Sequence, residues 1–352
     1  MRKAKWYLLI GLSLFLVGCQ EASVVKESKE TTSPAAIGAD TSKERVKQES
    51  LKVTSIGSVQ LSILEGKSAA TLLAKEDDYT SKLTLFDYQS KFKADKILTE
   101  EERFSSYQNE VLSWTEEEKI LLKQVIDSVS EKIEALDLNL PAEIYIIKSN
   151  GHVEAGAAYT RANAIILPEE MMVYGKDNPE DFAKLFVHEL FHVYSRHNID
   201  LRPSLYSVIH YKPCEELQFP AELDDMRISN PDAPDNNYYI ETKYKGKDMK
   251  FIPYLYADRP YDKLKGEPFF MYLRDDMIAV EIKGKTPQII LENKKPIIVS
   301  KDELPDYYKL IGENTNYTYH PEETMADNFV LLVLGGEVPS PWVVEGLEKN
   351  LK

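Results

Sequence analysis

The sequence predicts an α+β fold: a small sheet flanked by long helices, with a β-rich insertion late in the chain. Three features predict it. Two extended apolar runs, 143–147 and about 157–167, lie between two helical patterns that open near Glu116 and Pro179. Those patterns repeat apolar residues at the spacing of one helix face. From about 228 to 305 the pattern shortens to strand-length clusters at Tyr238-Tyr239-Ile240, Phe251-Ile252, 277–282, 288–291 and 297–299, separated by Lys-Gly-Lys and Asn-Lys-Lys turns.

The chain opens with material outside that fold. Arg2, Lys3 and Lys5 precede an apolar run, 6–17, that is shorter than the roughly 20 residues of a membrane-spanning helix and fits a signal-peptide core. The run ends in Leu16-Val17-Gly18-Cys19, which resembles the lipobox of bacterial lipoproteins. That resemblance implies a signal peptide over 1–19 and acylation of Cys19 as the first mature residue. It implies attachment to the membrane through the N-terminal lipid, on the extracytoplasmic face of the cell envelope. Residues 20–50 are rich in Ser, Thr, Lys and Glu, have no apolar period and read as a flexible tether. With Cys19 lipidated, Cys214 has no disulfide partner and reads as a small buried hydrophobe. A net charge of −15 excludes nucleic-acid binding, and the interspersed charges read as a solvated surface.

Residues 51–112 read as a mainly helical N-terminal segment, and 113–352 as the main domain with its insertion. Thr115 is placed to cap a helix with Glu118 as its reciprocal partner, ahead of Ile120, Leu121, Val125, Ile126, Val129, Ile133 and Leu136. Pro141 leads into the first strand, Asn150-Gly151 makes a turn, and the second extended stretch bends near 160–163. Asn178 is placed as the next N-cap, Pro179 takes the first helical position, and Glu180 and Asp181 suit the positive end of the helix dipole. Phe182, Leu185, Phe186, Leu190, Phe191, Val193 and Tyr194 make this helix apolar around most of its circumference, hence central. A last long helix runs from Pro321 to Gly335-Gly336, and a short helix closes the chain.

The central helix carries His188-Glu189-Leu190-Phe191-His192. The two histidines stand one turn apart on one face, so both imidazoles can reach one ion, and Glu189 lies about 100° further round, beside the ion rather than on it. Such a glutamate can take the proton of a metal-activated water. A chance match arises roughly once in a hundred chains with six histidines. A second constellation reduces that chance: Glu323 and Asp327 share a face of the Pro321 helix, one turn apart.

With these motifs the chain resembles the zincin metallopeptidases, specifically the gluzincins, whose third ligand is a glutamate on a later helix. The resemblance covers about 115–197 and 321–334. It implies a zincin-like catalytic domain holding one Zn²⁺ through His188, His192 and Glu323, with Glu189 as general base and later proton donor. Asp327 is expected to orient a ligand imidazole, His188 foremost. Peptides or proteins are the implied substrates, and the backbone of 157–167 is expected to pair with them. Glu222 is a nearer competitor for third ligand, but only Glu323 brings an aspartate one turn later. No His or Tyr follows Glu323, so the transition-state stabiliser is sought upstream, among Tyr317, Tyr319, His320 and His210. The long gap between His192 and Glu323 requires the insertion to fold away from the site, and by position it would form a lid or wall. The metzincin pattern fails, since Ser195 and Asn198 stand where it needs Gly and His. Two other readings stay open: a non-catalytic binding or adhesion lipoprotein on a zincin frame, and a zinc hydrolase of a non-peptide envelope amide. The intact Glu189 and histidine pair favour an enzyme.

Overall fold

The computed structural model describes residues 50–352; the expected leader, Cys19 and the tether as far as Glu49 lie outside the described residues. Residues 51–112, expected to be mainly helical, carry three helices and also strands. They begin with a hairpin of β1 (Ser50–Ile56) and β2 (Val59–Leu64), turned at Gly57, whose φ of 55° favours glycine. Then follow α1 (Gly66–Ala74), α2 (Leu85–Lys91), α3 (Glu100–Glu110) and the short β3 (Val111–Leu112). Val59, Leu61 and Ile63 alternate toward the core, and β2 pairs parallel with a later strand, which draws the hairpin into the main sheet.

Next come α4 (Glu116–Glu134), β4 (Glu143–Ser149), β5 (Tyr159–Arg161), β6 (Ala164–Pro168), α5 (Glu169–Asp177) and α6 (Pro179–His197). The first sheet runs β1-β2-β4-β6-β5, with β3 pairing the end of β4. Its two central pairings, β2–β4 and β4–β6, are parallel; β5 returns antiparallel and forms the outer edge. Ile144, Ile146, Ile165 and Leu167 face one side, Ile147, Ala164 and Ile166 the other. The first side packs on α4 and α6 through Leu122, Ile126, Phe186 and Leu190, the second on α1 and α3 through Ala69, Ala70, Leu73 and Tyr107. Covered on both sides, these strands read as continuous apolar runs.

The Thr115–Glu118 capping box opens α4. Asn178 precedes α6, but its side chain makes no cap: its amide donates to the Tyr174 carbonyl, because α5 ends at that same residue. Pro179 and the two acids still start the helix.

A second sheet follows α7 (Arg202–Ser207), with β7 (Lys212–Pro213), the one-turn α8 (Ala221–Asp224), β8 (Tyr238–Tyr244), β9 (Lys247–Ala257), β10 (Leu273–Lys283) and β11 (Thr286–Ile289). It is ordered β11-β10-β9-β8-β7. After the small hairpin of β12 (Leu291–Glu292) and β13 (Lys295–Pro296), β14 (Ile298–Val299) pairs with β10. The expectation that this insertion folds away from the site is overturned. Phe251, Met277, Ala279 and Val299 join the same core as α6, while Ile252, Tyr254, Ile278 and Val280 form a smaller core with Leu217. Half-buried Cys214 packs at that smaller core as a free cysteine, and burial pushes its thiol up to about 12. The chain ends with α9 (Tyr307–Ile311), α10 (Pro321–Leu334) and α11 (Pro341–Lys349). Phe191 and Phe329, with ring centroids 5.5 Å apart, lock α6 to α10. Such a pair contributes about 0.5–1.5 kcal/mol beyond its burial. Among the described residues no helix is long and apolar enough to cross a membrane.

Candidate metal centre

The site forms where α6 meets the first turn of α10. His320 caps α10, its Nδ1 accepting from the Glu322 N–H at 3.1 Å, and Pro321 takes the first position. Glu322 and Glu323 therefore sit in the first turn, where the helix dipole favours negative charge. Glu323 Oε2 lies 3.2 Å from His188 Nε2 and 3.4 Å from His192 Nε2. His188, His192 and Glu323 form one buried grouping that could hold a metal ion, and Glu189, His192 and Asp232 form a second, each with ligand atoms within 4.8 Å of one another.

Each imidazole is held through its other nitrogen. His188 Nδ1 is 2.9 Å from Asp327 Oδ1, and Asp327 is fixed in turn by the Thr315 hydroxyl. His192 Nδ1 is 2.9 Å from Glu322 Oε1. The other Glu322 oxygen accepts from Ser195 Oγ at 2.7 Å and from the Tyr206 hydroxyl, while Arg202 Nε donates to Ser195 Oγ at 2.9 Å. This arrangement places a proton on Nδ1 of both rings and turns both Nε2 atoms toward Glu323. His192 Nε2 is buried and makes no hydrogen bond.

The electrostatics follow from these contacts. Burial works against a charged His188 ring, but the hydrogen bonds to Asp327 and Glu323 outweigh it and push the ring up to about 10. Burial likewise opposes charge on His192, yet Asp232, Glu323 and Glu322 raise it well above the usual range. Burial alone would raise Glu323; the two imidazoles hold it far below the carboxylate range instead. Glu189, 3% exposed, is raised by burial against the pull of His192 and His188. Its Oε2 accepts from Thr160 Oγ1 at 2.9 Å.

Of the four stabiliser candidates, Tyr317 stands nearest the ligands, its ring centroid 5.8 Å from that of His188. Burial and the charges of Glu323, Asp232 and Asp327 keep its phenol protonated. Tyr319 packs on the Tyr317 ring at 4.9 Å and lines a narrow cleft with Asn230 and His320. His320 is committed to capping and is held neutral by burial, with its pKa lowered to about 4. His210 is not brought to the site: it is exposed beyond α7 with φ of 63° and packs on Trp342. Glu222 is likewise absent from the site, exposed on the one-turn α8 and outside both groupings. The sequence reading passed over Glu322, Thr160, Asn230 and Asp232. Asn230 Nδ2 donates to Glu323 Oε1 at 2.5 Å, and Asp232 Oδ1 accepts from the Thr160 N–H at 2.6 Å. The expectation that 157–167 pairs with substrate narrows to β5, since β6 lies inside the sheet.

No protein-family model, no curated protein and no solved structure matches the chain.

Proposed function

We propose that this chain is a zinc-dependent metallopeptidase of the gluzincin kind, built on a zincin-like domain and tethered to the extracytoplasmic face of the envelope by a lipid on Cys19. The spacing of the ligand atoms carries the proposal. A tetrahedral zinc with bonds of about 2.0–2.1 Å sets its ligand atoms about 3.3 Å apart. The two Nε2 atoms stand 3.2 and 3.4 Å from Glu323 Oε2. The donor set also fits: two imidazoles, each oriented by a carboxylate, and one carboxylate held ionised.

Bound zinc supplies Lewis acidity that brings the pKa of a water toward neutrality. Glu189, beside the ligands and steadied by the Thr160 hydroxyl, takes the proton of the attacking water and returns it to the leaving nitrogen. Its raised pKa suits both halves of that role. Asp327 and Glu322 hold the ligand rings in one tautomer. Tyr317, kept protonated, donates to the oxyanion that develops on the scissile carbonyl. A substrate backbone lies along β5, the outer strand that also carries Thr160.

Elemental analysis of the purified full chain tests this reading, with His188→Ala, Glu323→Ala and Glu222→Ala beside it and a peptide library as substrate. The expected result is one zinc per chain, lost with His188 or Glu323 and kept with Glu222, together with peptide cleavage. Absence of zinc after controlled reloading would sink the proposal and leave a binding protein. Zinc with cleavage of envelope amides but no peptide would replace peptidase by amidase.

A further inference from the structure

The insertion sends one segment into the metal centre. Residues 229–232 run between α8 and β8 and are anchored from behind on every side. Lys91 Nζ donates to the Ser229 carbonyl at 2.7 Å and Arg196 Nη2 to the Pro231 carbonyl at 2.8 Å. The Ser229 N–H donates to Asp87 at 3.2 Å, and Arg227 Nη1 donates to Ser229 Oγ at 3.1 Å. Lys91 is itself buried, ion-paired to Glu154 at 2.9 Å. Helix α2, through Asp87 and Lys91, thus braces this segment.

From the front, the Asn230 and Asp232 side chains face the reaction machinery. Asn230 donates to the third-ligand carboxylate, and Asp232 accepts the Thr160 N–H. The Asp232 N–H donates to Asn230 Oδ1 at 3.0 Å, which ties the Asn230 side chain to the Asp232 backbone. Thr160 is the middle residue of the three in β5. Its neighbours are paired as Tyr159 with Ile166 and Arg161 with Ala164, across the two-residue turn at 162–163. In such a hairpin the closing pair exchanges hydrogen bonds and the next residue points its N–H outward. The Thr160 N–H is therefore the edge donor that an added strand would use, and a carboxylate oxygen already fills it. The same threonine holds Glu189 through its hydroxyl, so the filled position borders the general base. Glu189, His192 and Glu323 are 3%, 1% and 1% exposed, and the His188 side chain, at 13%, is the one part of the grouping that solvent reaches.

We infer that Asn230-Pro231-Asp232 is an internal stopper. Asp232 stands in for a backbone carbonyl of an extended peptide at the Thr160 N–H, Asn230 covers Glu323, and peptide and ion enter when the segment withdraws. This rests on the metallopeptidase reading above and names its regulation.

A stopper acts as a barrier, so its loss speeds zinc uptake and zinc release together and leaves the affinity nearly unchanged. The test is stopped-flow zinc uptake, and zinc removal by dipicolinate, on the full chain. Asp232→Ala, Asn230→Ala and Asp232→Asn are compared with the parent and with Glu222→Ala. Asp232→Ala and Asn230→Ala each delete a hydrogen bond that holds the segment, so both rates should rise roughly tenfold or more; Kd should move less than about threefold in Asp232→Ala, while Asn230→Ala, which also strips a partner from Glu323, should weaken binding by about 10- to 100-fold as well. Asp232→Asn keeps an oxygen acceptor for the Thr160 N–H and should exchange at the parent's rate, as should Glu222→Ala. Parent rates in both alanine variants overturn the stopper. Faster release with slower or unchanged uptake also overturns it, because that is the signature of a damaged ligand set. A parent chain that binds no zinc overturns the metal reading itself, and the stopper with it.

Discussion

Replacing Glu322 by glutamine keeps the side chain's volume and removes one charge from a fully buried cluster. In the parent, one Glu322 oxygen faces His192 Nδ1 at 2.9 Å, and the other accepts from Ser195 Oγ at 2.7 Å and the Tyr206 hydroxyl. A glutamine offers one acceptor end and one donor end. Whichever way it turns, an N–H meets either the His192 N–H or two hydroxyls that now donate. At least one bond to a charged acceptor is lost, at a net cost of about 1.5–3 kcal/mol. Loss of a ligand histidine's carboxylate partner lowers metal affinity about 10- to 100-fold. At about 1.4 kcal/mol per tenfold the two estimates agree. The assay is zinc affinity by chelator competition at fixed neutral pH, run beside thermal melting of the metal-free forms to separate binding from stability. A glutamine variant that folds and binds zinc as tightly as the parent would refute the reasoning, since Glu322 would then not be holding the ligand.

Further outcomes follow from the structure. Glu189→Gln should keep zinc and lower peptide cleavage by roughly 10²–10⁴, read from kcat with zinc content measured in parallel. Tyr317→Phe should leave zinc affinity unmoved and lower kcat by roughly 10²–10³ with little change in KM. In the metal-free protein both His188, pushed up to about 10, and His192, raised well above the usual imidazole range, hold protons at neutrality. Loading should therefore release about two protons per zinc, seen with an indicator dye, and affinity should fall as pH falls. Because the folded-state pKa of His188 lies above the ordinary imidazole value of 6.5, its contribution to metal-free stability is complete below that value. It is lost as pH rises through about 10, so Tm of the metal-free form should drop over that window. Finally, Asp275→Ala strands the buried Lys301, whose Nζ pairs with Asp275 and donates to the Thr318 carbonyl at 2.6 Å. Denaturant unfolding should show a loss of about 3–5 kcal/mol, because a buried charge is left without its partner.

Local pattern made much of this molecule legible in its sequence. The two long helices announced themselves by apolar period and by the Thr115 box, and the motif helix was central because it was apolar all round. His188, His192, Glu323 and Asp327 were readable because helix geometry converts a separation of four residues into a shared face. What was missed depends on contacts between distant segments. Glu322 sits next to Glu323, and nothing local distinguishes the two; its role appears only when α7 brings Tyr206 and Arg202 against α10. Asp232 and Asn230 lie in an insertion, and their chemistry depends on where that insertion returns. The β1–β2 hairpin did alternate at Val59, Leu61 and Ile63, but its place in the sheet comes from pairing with β4, more than eighty residues later. Asn178 shows the converse: a good capping residue whose side chain was taken by the preceding helix.

The central claim is the identity of the ligands, and X-ray absorption at the zinc edge of the loaded full chain addresses it most directly. Two imidazoles and oxygen neighbours at about 2.0–2.1 Å, with no sulfur, are expected. His188→Ala and His192→Ala should each remove imidazole scattering or abolish binding. A sulfur in the zinc shell, or a shell of oxygens alone, would contradict that claim.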